Sequence, residues 1–143
     1  MDKKQKIGYT QGVFDMFHVG HLNLLNNARA QCDYLIVGVN SDALVESYKN
    51  KVPVVRQEYR KLIVENIKAV GEAHVVDTLE KVKILEQYPF DVIFVGDDWK
   101  GNPRWAETCR KLNALGVEVV FLPYTQNISS TLLRPHKDEN VEE

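Results

Sequence analysis

The sequence predicts an α/β domain, a doubly wound five-stranded parallel sheet with helices on both faces, and three observations predict it. Short runs of β-branched and aromatic residues alternate with stretches whose apolar residues recur every three or four positions. The short runs are almost continuously apolar, as strands buried on both faces are. Their order is βαβαβαβαβ, which calls for a parallel sheet with right-handed crossovers.

Strands are expected at residues 7–10, 34–39, 73–76, 92–95 and 117–122, each rich in Val, Ile and aromatic side chains. Helices with one buried stripe are expected at 21–30, 57–69, 78–88 and 104–115. In such a sheet, ligands bind beyond the carboxyl ends of the strands, where the strand order reverses. The segments to inspect are therefore 11–21, 40–56, 96–105 and 123–131.

At 143 residues the chain accommodates one compact domain, placed at residues 1–134, followed by an acidic, aperiodic tail at 135–143. A composition of 44% hydrophobic and 27% charged residues is that of a globular protein. The formal charge of -2 argues against a broad basic surface, so neither nucleic acid nor an anionic membrane is an expected partner. Cys32 and Cys109 lie far apart with no metal-ligand spacing, which suits a reducing compartment. With neither a signal-peptide pattern at the start nor an apolar run long enough to span a bilayer, the expected location is the cytoplasm, without membrane insertion.

The strongest local signal joins the first strand to the first helix: Gly12-Val13-Phe14-Asp15-Met16-Phe17-His18-Val19-Gly20-His21, which contains an HxGH. Gly20 lets backbone approach a ligand, and the helix start offers N–H groups and a positive dipole end to an anion. Two imidazoles there can donate to phosphate oxygens as charge builds on a five-coordinate phosphorus. A lone histidine at such a place is more often a core or capping residue. The paired spacing reverses those odds.

Three further segments carry compatible chemistry. Lys49-Asn50-Lys51, after the second strand, reads as a mobile flap that neutralises converging phosphates when it closes, although a solvated turn explains lysines almost as well. Asp97 and Asp98 directly follow the fourth strand, and one well-placed Asp suffices to hold Mg²⁺ beside phosphate oxygens. The run Tyr124-Thr125-Gln126-Asn127-Ile128-Ser129-Ser130-Thr131 presents hydroxyls and backbone N–H groups suited to the outer phosphates of a triphosphate. On the helix after the lysine segment, Arg60 is either a phosphate ligand or one half of an ion pair.

GVFDMFHVGH and Ile128-Ser129-Ser130-Thr131 resemble the signatures of the HxGH nucleotidyltransferases that include the cytidylyltransferases. Within that family, Val95-Gly96-Asp97-Asp98-Trp99-Lys100-Gly101 and Glu58-Tyr59-Arg60-Lys61-Leu62 are most similar to the glycerol-3-phosphate cytidylyltransferases. The likeness runs from about Ile7 to Arg134. It implies a Rossmann-like fold, Mg²⁺ bound with the nucleoside triphosphate, and a homodimer. His18 and His21, with Lys51, would then be catalytic. Val13, Phe14, Asp97, Tyr124, Thr125, Ile128, Ser129, Ser130 and Thr131 would complete the nucleotide site, with Asp97 preferred over Asp98 as the metal ligand. Gln11, Lys49, Arg60 and Lys81 would bind the second substrate.

Tyr124 and Asn127 depart from the arginine and glycine expected in the glycerol-3-phosphate enzymes. Gln11 stands where choline-specific relatives carry an acidic residue, which points to a neutral polyol phosphate rather than phosphocholine. The reaction implied is transfer of CMP from CTP to a small phosphorylated alcohol with release of pyrophosphate. An ATP-dependent adenylyltransferase and a catalytically silent nucleotide-binding module are the alternatives. A redox Rossmann domain is disfavoured because the first turn lacks GxGxxG.

Overall fold

The computed structural model describes residues 5–96 and 101–123. Within them the chain forms β1 (Ile7–Gly12), α1 (Val19–Arg29), β2 (Tyr34–Asn40), α2 (Asp42–Lys49), α3 (Gln57–Glu65), β3 (Glu72–Val76), α4 (Lys81–Gln87), β4 (Val92–Gly96), α5 (Pro103–Ala114) and β5 (Glu118–Leu122). The five strands are parallel, in the order β3-β2-β1-β4-β5. The expected doubly wound sheet is present, and its order reverses between β1 and β4.

Alternation along the strands sends apolar side chains to two separate cores. Leu35, Val37 and Val39 of β2 join Leu24, Leu25 and Ala28 of α1 and Val64 of α3 on one face. Ile36, Tyr9, Ile93 and Val95 meet Ile84 of α4 and Leu112 of α5 on the other. Gly38 is required where it stands, since a Cβ there would collide with the Tyr9 hydroxyl.

α2 was not expected. Ser41 caps it by accepting the Leu44 N–H at 3.1 Å, and Asn50 ends it in the left-handed conformation at φ 57°. Only Val45 of this helix is buried, and its capping residues are what mark it in the sequence. Lys49 is thus the last residue of a helix rather than part of a loop. α3 stops at Glu65, short of residue 69, and α4 begins at Lys81 rather than at 78.

β1 and β4 pair in register only at Gly8–Val92 and Tyr9–Ile93, whereas β1 pairs with β2 along its whole length. Beyond Tyr9 the two central strands therefore diverge, and a crevice opens at the switch point. Thr10 bridges its floor by donating from Oγ1 to the Phe94 carbonyl at 2.9 Å.

Candidate active site

The turn after β1 is built around two left-handed residues, Phe14 (φ 55°) and Met16 (φ 50°), a costly conformation for side chains of this size. Buried neighbours hold it. Asp15, between them, is buried and accepts the backbone N–H of Val54 at 2.7 Å and of Val55 at 2.9 Å. The HxGH turn is thereby tied to the segment that follows Lys51.

His18 is the N-cap of α1, in extended conformation, and its Nδ1 accepts the Gly20 N–H at 3.0 Å. His21 reaches back, its Nδ1 accepting the His18 N–H at 3.2 Å. Each Nδ1 is an acceptor and so carries no proton, which places the imidazole proton on Nε2 in both rings. The rings stack with centroids 4.0 Å apart, and the edge of Phe14 supports His21 at 5.5 Å. The sequence thus fixes two N–H donors side by side at a strand-to-helix turn.

Arg60 ties the same region together from below. Its side chain is 0% exposed; Nε donates to the Val55 carbonyl (2.7 Å), Nη1 to the carbonyls of Val13 (2.8 Å) and Asn40 (2.7 Å), and Nη2 to Asp42 (2.5 Å). Four of the five guanidinium donors thus go to protein oxygens. The expectation of Arg60 as a substrate ligand is corrected to a strut that fixes the ends of β1 and β2 against the start of α3. Pairing with a carboxylate, one of the alternatives weighed for it, is realised, but with the arginine buried rather than on the surface.

The crevice at the switch point has a cavity of about 140 Å³. Gln11 and Lys81 line it, together with Asn40, Tyr48, Arg104 and Trp105, which the sequence reading did not single out. Gln11 is held rigidly. Its Oε1 accepts the Tyr9 hydroxyl at 2.6 Å, and its Nε2 donates to Asn40 Oδ1 (2.8 Å) and to the Thr78 carbonyl (3.0 Å). Asn40 in turn donates to the Tyr48 hydroxyl at 3.1 Å. Burial, with a smaller push from Tyr88, raises the Tyr9 phenol far above its usual range, so it stays protonated and remains the donor.

Lys81 Nζ donates to the Leu79 carbonyl at 2.8 Å and lies 5.3 Å from the Trp105 ring centroid. Desolvation, and then the charge of Arg104, lower its pKa to about 8. A lysine so poised changes charge readily near neutral pH.

Val13 and Phe14 depart from expectation. Their side chains are 4% and 2% exposed, and neither lines the crevice, whose wall at this point is Gly12. The Val13 carbonyl serves Arg60, and Phe14 is a core residue beneath His21. His18 and His21 do not line the cavity either; from their turn and helix only Gly12 and Leu24 do. Lys49 closes α2, and Lys51 lies between Asn50 and the Asp15 clamp, in a segment anchored at both ends. Asp97, Tyr124, Thr125, Ile128, Ser129, Ser130 and Thr131 lie outside the described residues, as does the tail at 135–143. Among the described residues no group of three or more His, Cys, Asp and Glu side chains forms a metal cage.

Residues 9–136 match the model of the cytidylyltransferase-like family. The chain belongs to this cytidylyltransferase-like family. Its relatives include the glycerol-3-phosphate cytidylyltransferase of Bacillus spizizenii, 37% identical over 127 residues, a match covering 87% of this chain and 92% of that protein. The bifunctional protein HldE of Hyphomonas neptunium is 31% identical over 129 residues, 90% of this chain but 26% of that protein. Among solved structures, the lipopolysaccharide core biosynthesis protein of Thermoplasma volcanium superposes with a TM-score of 0.73 at 26% identity, covering 87% of this chain and 100% of that one. No helix among the described residues of this family member is long and apolar enough to cross a membrane.

Proposed function

We propose that the protein transfers CMP from CTP to glycerol phosphate or a related polyol phosphate, giving a CDP-alcohol and pyrophosphate. The observation that carries this reading is the match to a glycerol-3-phosphate cytidylyltransferase along 92% of that protein's length. An oxygen of the acceptor's phosphate attacks the α-phosphorus of CTP in line. One P–O bond forms as the bond to pyrophosphate breaks, and no covalent enzyme intermediate is needed. The Nε2–H groups of His18 and His21 donate to phosphate oxygens as charge develops, Lys49 and Lys51 screen the phosphates, and Gln11 presents a neutral polar wall to the polyol.

Asp97 would hold a Mg²⁺ ion bound with the triphosphate, which would screen the charge of its phosphates. The hydroxyls of Thr125, Ser129, Ser130 and Thr131, with the backbone at Ile128, take the outer phosphates. The protein works as a homodimer in the cytoplasm. Exposed Tyr59, Leu62 and Ile63, on one side of α3, support the first inference, and the free thiols Cys32 and Cys109 the second. The second reading is an adenylyltransferase; Tyr124 in place of the arginine expected in the glycerol-3-phosphate enzymes marks a departure in substrate binding without choosing the base. A pyrophosphate-release assay with each of the four nucleoside triphosphates, magnesium and a panel of phosphorylated polyols decides between them. CTP with glycerol phosphate should be the productive pair, and turnover with ATP alone would replace the first reading by the second.

A further inference from the structure

The crevice wall made by α4 and α5 is basic, and the second of its cations has no assigned role. Lys81 is the first residue of α4, and Arg104 is the second of α5. The α5 start is fixed by Pro103 and by Asn102, which accepts the N–H of Arg104 at 2.9 Å and of Trp105 at 3.4 Å. Both cations line the same crevice, with Trp105 beside them and its ring 5.3 Å from the Lys81 ammonium.

No Asp or Glu is among the described residues lining this crevice. Neither does a described carboxylate form an ion pair with Lys81 or Arg104. The two like charges repel each other and burial leaves the Lys81 ammonium poorly solvated, and the depressed Lys81 shows both effects. An anion between them relieves both at once. Lys81 has two N–H donors beyond the one on Leu79, and Arg104 has a planar fork that fits two phosphate oxygens.

We propose that Arg104 is a specificity-determining residue of the acceptor site, binding the acceptor's phosphate jointly with Lys81 beside the face of Trp105. The identity of the acceptor rests on the polyol-phosphate reading above; the charge the site demands does not. The hydroxyl-bearing remainder of the acceptor then meets the neutral, hydrogen-bonded wall of Gln11, Asn40 and Tyr48.

The test compares the wild type with Arg104→Gln and Arg104→Lys in steady-state CDP-glycerol formation, varying glycerol phosphate and CTP separately. Inorganic phosphate binding to the protein is measured by calorimetry in parallel. Arg104→Gln should raise the acceptor KM at least tenfold, leave the CTP KM within twofold and weaken phosphate binding by a similar factor. Arg104→Lys should recover part of each loss. Arg104 is exposed, so both variants should fold, which circular dichroism checks. An unchanged acceptor KM overturns the proposal, as does a rise confined to the CTP KM, which would give Arg104 to the triphosphate. If the wild type makes no CDP-alcohol, the polyol-phosphate reading fails separately. The calorimetry then decides alone: phosphate binding lost in Arg104→Gln sustains the site, and binding unchanged by it ends the case.

Discussion

His18 and His21 cap each other: the His18 ring accepts a backbone N–H from within the helix it starts, and the His21 ring accepts the backbone N–H of His18 itself. One pair of hydrogen bonds ends the exposed helix start and sets the tautomer of both rings. The two imidazole donors, proposed above as catalytic, are therefore oriented by the same contacts that begin α1.

This double duty can be separated by substitution. Asparagine is a good N-cap but has no imidazole, so His18→Asn should lower kcat/KM by about 10²–10³-fold with little change in unfolding temperature. His18→Ala should lose similar activity and about 1 kcal/mol of stability as well. His21→Ala should cost turnover on the same scale. Pyrophosphate release and thermal unfolding together check all three, and near-normal turnover in both alanine variants would overturn the assignment of the pair.

Arg60→Met should be destabilising by about 3–5 kcal/mol, because it leaves Asp42, two buried carbonyls and the half-buried Val55 carbonyl without their donor. Arg60→Lys should rescue little, since one ammonium cannot reach acceptors arranged around a planar fork. Urea unfolding at neutral pH measures both. A loss of activity in either variant with no loss of stability would return Arg60 to the substrate site.

Asp15→Asn changes one atom and removes the charge from the Val54–Val55 clamp. Its amide can accept from one of the two N–H groups but turns a donor toward the other, a change worth about 1–3 kcal/mol. Hydrogen exchange should accelerate at the Val54 and Val55 amides. The KM for the triphosphate should rise because Lys51 lies on the loosened side.

The acceptor KM should rise as pH is raised through about 8, because Lys81 loses its proton there and the crevice loses one cation. Lys81→Met should start with a high acceptor KM and show no such limb. Stability should move the opposite way. Unfolded Lys81 holds its proton up to its ordinary value of 10.5, so between about 8 and 10.5 the unfolded chain binds more protons than the folded one. In that window the contribution of Lys81 to stability improves with pH, as the cost of burying its charge is lifted.

The sheet and four of its helices were legible from the spacing of their apolar residues, even where, as in α4 and α5, a single side chain is fully buried. α2, which also buries one residue, Val45, was missed; its signature was the Ser41 and Asn50 caps. The site was legible to the extent that local spacing pairs His18 and His21, whose rings stack. It was misread where burial decides the role. An arginine that binds phosphate and one that ties three loop carbonyls to an aspartate look the same in sequence, and only long-range packing made Arg60 the second. Phe14 shared the motif with the histidines yet went to the core. Arg104 and Trp105 carry no motif, and they reach the crevice only because α5 starts where Asn102 caps it.

The short pairing between β1 and β4 has a mechanical meaning. Two residue pairs are the whole backbone register joining the β3-β2-β1 half of the sheet to the β4-β5 half, so the middle of the molecule is its most thinly stitched line. A substrate lodged there and touching both sides acts as a rivet. Its hydrogen bonds cross the very seam that the strands leave open, and occupancy should tighten the whole domain as well as ready it for chemistry.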